Sequence, residues 1–148
     1  MVWASAATAD GLPMYGNWCG PNYPNNVIEA SRPPIDPLDA ACYRHDVCTG
    51  GNDSRNCDCD IRFMRELRNL RYPTKDQEVI ARAMYDAIAM VPCSNPMGMA
   101  YKQACVWGDL AQDFVSGRSM PWEMPMRWMY LADRTMLNKR WQDLVEPW

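Results

Sequence analysis

Downstream of residue 57, apolar and polar positions recur with a helical period. Phe63, Met64, Leu67 and Leu70 are three or four residues apart, which predicts a helix with one buried face, opening at Cys57-Asp58-Cys59-Asp60 and stopped by Tyr72-Pro73. Thr74 and Gln77 form a capping box for the next stretch, in which Ile80, Met84, Ala87, Ile88 and Val91 make one apolar stripe and Glu78, Arg82 and Asp86 pair on the opposite side. Pro92 and Pro96 break that pattern. A further helix from about Gly98 to Ser116 is expected to bury Ala100, Ala104, Trp107, Ala111 and Phe114, with Gly117 ending it.

Upstream, Asp36 at an N-cap and Pro37 at the first helical position start a helix that Gly50-Gly51 should stop. The connection Gly51 to Asn56 is short, so this helix and the next must run antiparallel as a hairpin. From Tyr15 to Asn26, glycine, proline and asparagine are too dense for helix or strand and predict a compact turning loop. Residues 1–14 read as an arm. Beyond Gly117, Met120 to Met126 is too rich in proline for a helix, and Trp128 to Val145 suggests one with Tyr130, Leu137, Trp141, Leu144 and Trp148 on one side. The expected fold is mainly α: a helical hairpin preceded by a loop, backed by further helices, with parts at 1–14, 15–117 and 118–148.

Composition narrows the function. A chain of 148 residues can bury a real core as one domain. The net charge of -3, without any run of lysine or arginine, argues against nucleic acid as a partner. No apolar run approaches the roughly 18 to 20 residues that a spanning helix needs. The 7 cysteines point to disulfides and an oxidising compartment, with secretion the expectation and one thiol left over. Met1-Val2-Trp3-Ala4-Ser5-Ala6-Ala7 lacks the charged and long apolar regions of a signal peptide, so a trimmed start or a larger polypeptide or particle is expected.

Chemistry concentrates in Leu38 to Cys48. The chain has 1 histidine, His45, followed by Asp46 and lying between Cys42 and Cys48. On a helix Asp39, Cys42, His45 and Asp46 share one side. Cys48 and Cys59 fall at the same end of the expected hairpin, close enough for a disulfide that would hold Asp60 within a turn of His45. The loop from Tyr15 to Asn26 can aim backbone carbonyls inward, the ligands that a hard cation such as calcium accepts.

Two motifs, Tyr15-Gly16-Asn17-Trp18-Cys19-Gly20 and Asp39-Ala40-Ala41-Cys42-Tyr43-Arg44-His45-Asp46-Val47-Cys48, together with Cys57-Asp58-Cys59-Asp60, resemble the secreted-type phospholipase A2 family in content and order. The resemblance spans roughly residues 15 to 65. It implies hydrolysis of the sn-2 ester of glycerophospholipids at a membrane surface, with calcium as cofactor. His45 would be the base that activates water, and Asp60 would orient it. Calcium would be held by Asp46 and by the carbonyls of Trp18, Gly20 and Asn22, and the Gly20 amide would assist at the oxyanion. The same mapping implies Cys19–Cys42 and Cys48–Cys59 disulfides.

The departures are specific. Asn22 and Tyr23 stand where the family often has glycine, Ala41 removes a familiar disulfide, and Thr49 replaces the tyrosine that usually bonds the supporting aspartate. The short hairpin connection places the nearer resemblance with bacterial, plant and parvoviral-capsid members. Two other readings stand beside the hydrolase. One is a silent module of the same fold that binds membrane or protein, with the tryptophan- and methionine-rich C-terminal segment a candidate docking element. The other is a zinc cage of His45, Cys48, Cys57 and Cys59. Spacing leaves the pairing of Cys57, Cys93 and Cys105 open.

Overall fold

A computed structural model describes residues 15–20, 32–50, 56–123, 125–126 and 129. Among the described residues the protein is helical and has no strand: α1 is Pro37–Thr49, α2 Cys57–Asn69, α3 Lys75–Met90 and α4 Pro96–Val115. One isolated antiparallel bridge, Tyr15 to Cys19, closes the turn that precedes them.

The helix ends follow from local chemistry. The Asp36 carboxylate accepts from the Asp39 amide at 2.9 Å, Pro37 sits where no intrahelical donor is needed, and Gly50 takes φ 79° to close α1. Asn56 caps α2 by accepting from the amides of Asp58 and Cys59. Thr74 caps α3 through the Gln77 amide at 3.2 Å. The Gln77 side chain does not return to Thr74, as a full capping box would require. It reaches the Tyr15 hydroxyl at 2.9 Å and the Asp36 carboxylate at 3.1 Å, tying α3 to the turn and to the start of α1. Asn95 caps α4, which begins at Pro96 rather than Gly98.

Leu38 and Ala41 from α1, Phe63, Met64 and Leu67 from α2, Ala81, Met84, Tyr85 and Ala89 from α3, and Val106 from α4 share one core with Trp18, Cys19 and Cys42. Each large apolar side chain buried this way contributes about 1.5–3 kcal/mol. The α2 stripe is the expected one. On α3 the buried face is shifted: Ile80, Ala87, Ile88 and Val91 are half-buried, and Asp86 lies inside instead of pairing in solvent. Glu78 and Arg82 do pair, at 3.6 Å.

The α4 expectation is reversed. Ala100, Ala104, Trp107, Ala111 and Phe114 are all exposed, Trp107 by 59%, whereas Lys102 and Val106 are buried. The cause is a set of ionic partners contributed by α2. Lys102, Asp109 and Asp113 lie on one side of α4 and turn inward to meet Asp60 and Arg68. An apolar count along the sequence ranks those positions as outward-facing because it cannot see a partner more than forty residues away.

Arg68 makes two parallel bonds of 2.8 Å to Asp113 and lies 3.2 Å from Asp109, which also accepts the Tyr85 hydroxyl at 2.6 Å. This node links α2, α3 and α4. Partial burial works to raise the Asp113 carboxyl, but hydrogen bonding to Arg68 and the charges of Arg68, Arg118 and Arg82 prevail and hold it below its ordinary 3.8. A carboxyl depressed by folding adds stability that is present above its unfolded value and lost as pH falls through the folded one. Arg68→Met is therefore expected to flatten the stability-versus-pH curve below about pH 4, as read from urea midpoints across that range.

Three disulfides staple the fold, each of a kind that typically stabilises by about 2–4 kcal/mol. Cys19–Cys42 joins the turn to α1, Cys48–Cys59 joins the end of α1 to the start of α2, and Cys57–Cys93 joins α2 to the α3–α4 connection. Cys105 remains a half-buried thiol. The zinc cage is thereby excluded, because Cys48, Cys57 and Cys59 are all oxidised and have no thiolate to offer.

Candidate functional site

The first turn of α1 builds the loop. Asp39 is completely buried, and its carboxylate accepts from the amides of Asn17 at 3.0 and 3.1 Å, Trp18 at 2.8 Å and Ile35 at 3.0 Å. Gly16 lets the loop pass this close. It has φ +60°, and a Cβ there would sit 2.4 Å from the Asp39 Cγ. The Trp18 indole N–H donates to the Arg32 carbonyl at 2.9 Å, and its ring meets Tyr43 edge-on at 4.6 Å. Cys19 is bonded to Cys42 at a Cα separation of 5.1 Å. Trp18 and Gly20 flank this link to α1.

His45 and Asp60 are brought together. The Cys48–Cys59 link, with a Cα separation of 5.8 Å, fixes the facing turns of α1 and α2. His45 Nε2 then lies 2.9 Å from Asp60 Oδ1. The imidazole also stacks on Phe63, with ring centroids 4.7 Å apart. An acceptor at Nε2 keeps the proton of neutral histidine on that nitrogen, leaving the Nδ1 lone pair free to take another. The side chain is 14% exposed, so water can reach one edge of the ring.

Asp46 Oδ1 is 3.9 Å from His45 Nδ1, too far for a hydrogen bond. Asp46 Oδ2 is buried with no hydrogen-bond partner. Burial raises the Asp46 carboxyl above its ordinary 3.8, against the opposing pull of His45. At His45 burial disfavours the imidazolium, but the carboxylates of Asp46 and Asp60 outweigh it and raise the ring above its ordinary 6.5. Asn22 lies outside the described residues, as does Tyr23.

One member of the site is a residue that sequence reasoning missed. Lys102 is completely buried, and its Nζ donates to Asp60 Oδ2 at 2.8 Å and to the Val91 carbonyl at 2.7 Å. Burial lowers its ammonium below the ordinary 10.5, partly offset by Asp60. In sequence it looks like any surface lysine. The available signal is that no other lysine, arginine or histidine occurs in α4.

Among the described residues no three His, Cys, Asp or Glu side chains group as a metal cage. A cleft lined by Arg68, Tyr72, Arg82, Tyr85 and Asp113 includes none of His45, Asp46 and Asp60. No described helix is long and apolar enough to cross a membrane. The site thus consists of a buried Lys102–Asp60–His45 chain, an unsatisfied Asp46 oxygen beside it and a turn clamped on Asp39, and the whole sequence matches no protein-family model, no curated protein and no solved structure.

Proposed function

We propose that the protein is a calcium-dependent hydrolase of phospholipid sn-2 esters, with secreted-type phospholipase A2 as the family it resembles. In this reading α1 and α2 are the antiparallel pair that carries the active site, and the loop from Tyr15 to Asn26 is the calcium loop. The observation that carries it is the pairing of His45 Nε2 with Asp60 while Nδ1 stands beside Asp46, whose second oxygen is buried without a partner.

That unpartnered oxygen is the test of fit for a cation. A buried carboxylate oxygen with nothing to accept costs free energy, which a bound cation would offset. Asp46 and the carbonyls of Trp18 and Gly20 would hold calcium, with Asn22 as a further ligand from outside the described residues. Such a set, mostly carbonyls around one carboxylate, suits a hard ion better than zinc. When bound, calcium would supply Lewis-acid stabilisation of charge on the ester oxygen.

The remaining work belongs to the chain's own groups. His45 Nδ1 takes a proton from water as the water attacks the ester, a general-base step worth roughly a hundred- to ten-thousandfold. Asp60 holds the ring in the tautomer that leaves Nδ1 free, and accepts from Nε2 while the ring is charged. The Gly20 amide is the donor assigned to the developing oxyanion. Collapse of the tetrahedral intermediate releases the fatty acid, and His45 returns its proton to the leaving alkoxide. Three disulfides support an oxidising, extracellular setting.

Fatty-acid release from phosphatidylcholine vesicles, with millimolar calcium or with chelator, tests the reading. The native protein is expected to release fatty acid with calcium alone, and His45→Gln to release none in either condition. Vesicle binding without release by folded, disulfide-intact protein would overturn the hydrolase in favour of a silent membrane-binding module.

A further inference from the structure

We propose that Lys102 is the positioning residue that fixes Asp60, and through Asp60 fixes the ring and tautomer of His45. The inference rests on the reading of His45 as a base, and it follows from how the two oxygens of Asp60 are divided. Oδ1 faces His45 at 2.9 Å and Oδ2 faces Lys102 at 2.8 Å. The Asp60 side chain is only 7% exposed, so water is a poor substitute for a missing partner.

The two partners differ in kind. His45 changes charge during a hydrolytic cycle, whereas the Lys102 ammonium does not. Its anchor is also independent of the site. Nζ donates at 2.7 Å to the carbonyl of Val91, the residue that caps α3, where the last carbonyls of a helix have no intrahelical donor. Lys102 thus ties Asp60 to the end of α3, and Asp60 cannot rotate away from His45 without breaking a charge-assisted bond inside the core. The arrangement answers a departure in α1. Thr49 stands where a tyrosine would support the aspartate, and its hydroxyl donates to the Asp46 carbonyl at 3.0 Å. The supporting hydrogen bond comes instead from a cation on α4.

Because the chain has 1 histidine, its ring nitrogens can be read without assignment in protein carrying 15N-labelled histidine. In the native protein the neutral ring is expected to be the Nε2–H tautomer alone. Lys102→Met is expected to give a mixture of tautomers and to lower kcat on vesicles about 10- to 100-fold, the usual cost of losing a support to a catalytic group, with KM unchanged. Lys102→Gln keeps a donor without the charge and is expected to recover part of both, and it serves as the working variant if Lys102→Met does not fold. A native Nδ1–H tautomer would overturn the proposal. So would folded Lys102→Met or Lys102→Gln with the native tautomer and native kcat. An altered tautomer in a protein that hydrolyses nothing would uphold the positioning of His45 and overturn the hydrolase reading alone.

Discussion

Asp60→Asn is expected to lower ester hydrolysis roughly a hundred- to ten-thousandfold and, in the same protein, to lower stability by about 3–5 kcal/mol. The first effect follows from the tautomer. An amide at this position can turn its NH2 toward Nε2, which moves the imidazole proton to Nδ1 and removes the base, a loss of roughly a hundred- to ten-thousandfold. The second follows from Lys102, completely buried and left without a counterion. Burial already lowers the Lys102 ammonium, so without Asp60 it sheds its proton more easily still. The unfolded chain then binds more protons than the folded one, and the stability deficit shrinks as pH rises. Adding Lys102→Met to Asp60→Asn removes the stranded cation and is expected to restore most of the stability and none of the activity. Urea midpoints and vesicle hydrolysis on the two variants check this. A stable Asp60→Asn single variant, or a double variant no more stable than it, would refute the account.

This coupling between Asp60 and the core marks where the sequence could and could not convey the fold. The ends of α1 were legible at Asp36-Pro37 and Gly50 because capping is a local interaction, readable from two or three residues. The apolar stripe of α2 was legible for a similar reason, since that helix buries one face and exposes the other. His45 and Asp60 are a long-range pair, yet Cys48 and Cys59 lie three residues and one residue from them, and a crosslink fixes distance without any knowledge of the rest of the fold.

Lys102 had no such marker. Its partners, Asp60 and the Val91 carbonyl, come from two other elements, and nothing in Tyr101-Lys102-Gln103 distinguishes a buried lysine from a solvated one. The same blindness inverted the reading of α4. Trp107 and Phe114 rank as core by apolarity, but the inward side of the helix is set by where Asp60 and Arg68 place their charges. Pairing of Cys57 with Cys93 was likewise a matter of how the α3–α4 connection returns to α2, a packing fact and not a spacing one.

The two halves of the site are separable, and Asp39 is where they divide. Its carboxylate accepts hydrogen bonds from the backbone amides of Asn17, Trp18 and Ile35, whereas the hydrogen bond that holds His45 is made with Asp60. Asp39→Ala is expected to cost about 3–5 kcal/mol, because bonds to a charged acceptor are worth more than neutral ones and three N–H groups, that of Trp18 buried and those of Asn17 and Ile35 part-buried, lose their partner together. Asp39→Asn keeps the shape but offers one oxygen in place of two, and its NH2 would face the amides that the other oxygen served, so a smaller loss of about 1–3 kcal/mol is expected. In that milder variant the Cys19–Cys42 disulfide still anchors the turn, but the backbone around Trp18 and Gly20 is no longer fixed. Calcium affinity, measured by calorimetry, is therefore expected to fall about tenfold or more while the His45 tautomer stays native. Loss of calcium binding without change at His45 would place the cation at the loop clamped by Asp39. Unchanged affinity in a folded Asp39→Asn protein would separate the loop from the cation and leave Asp46 to be explained in another way.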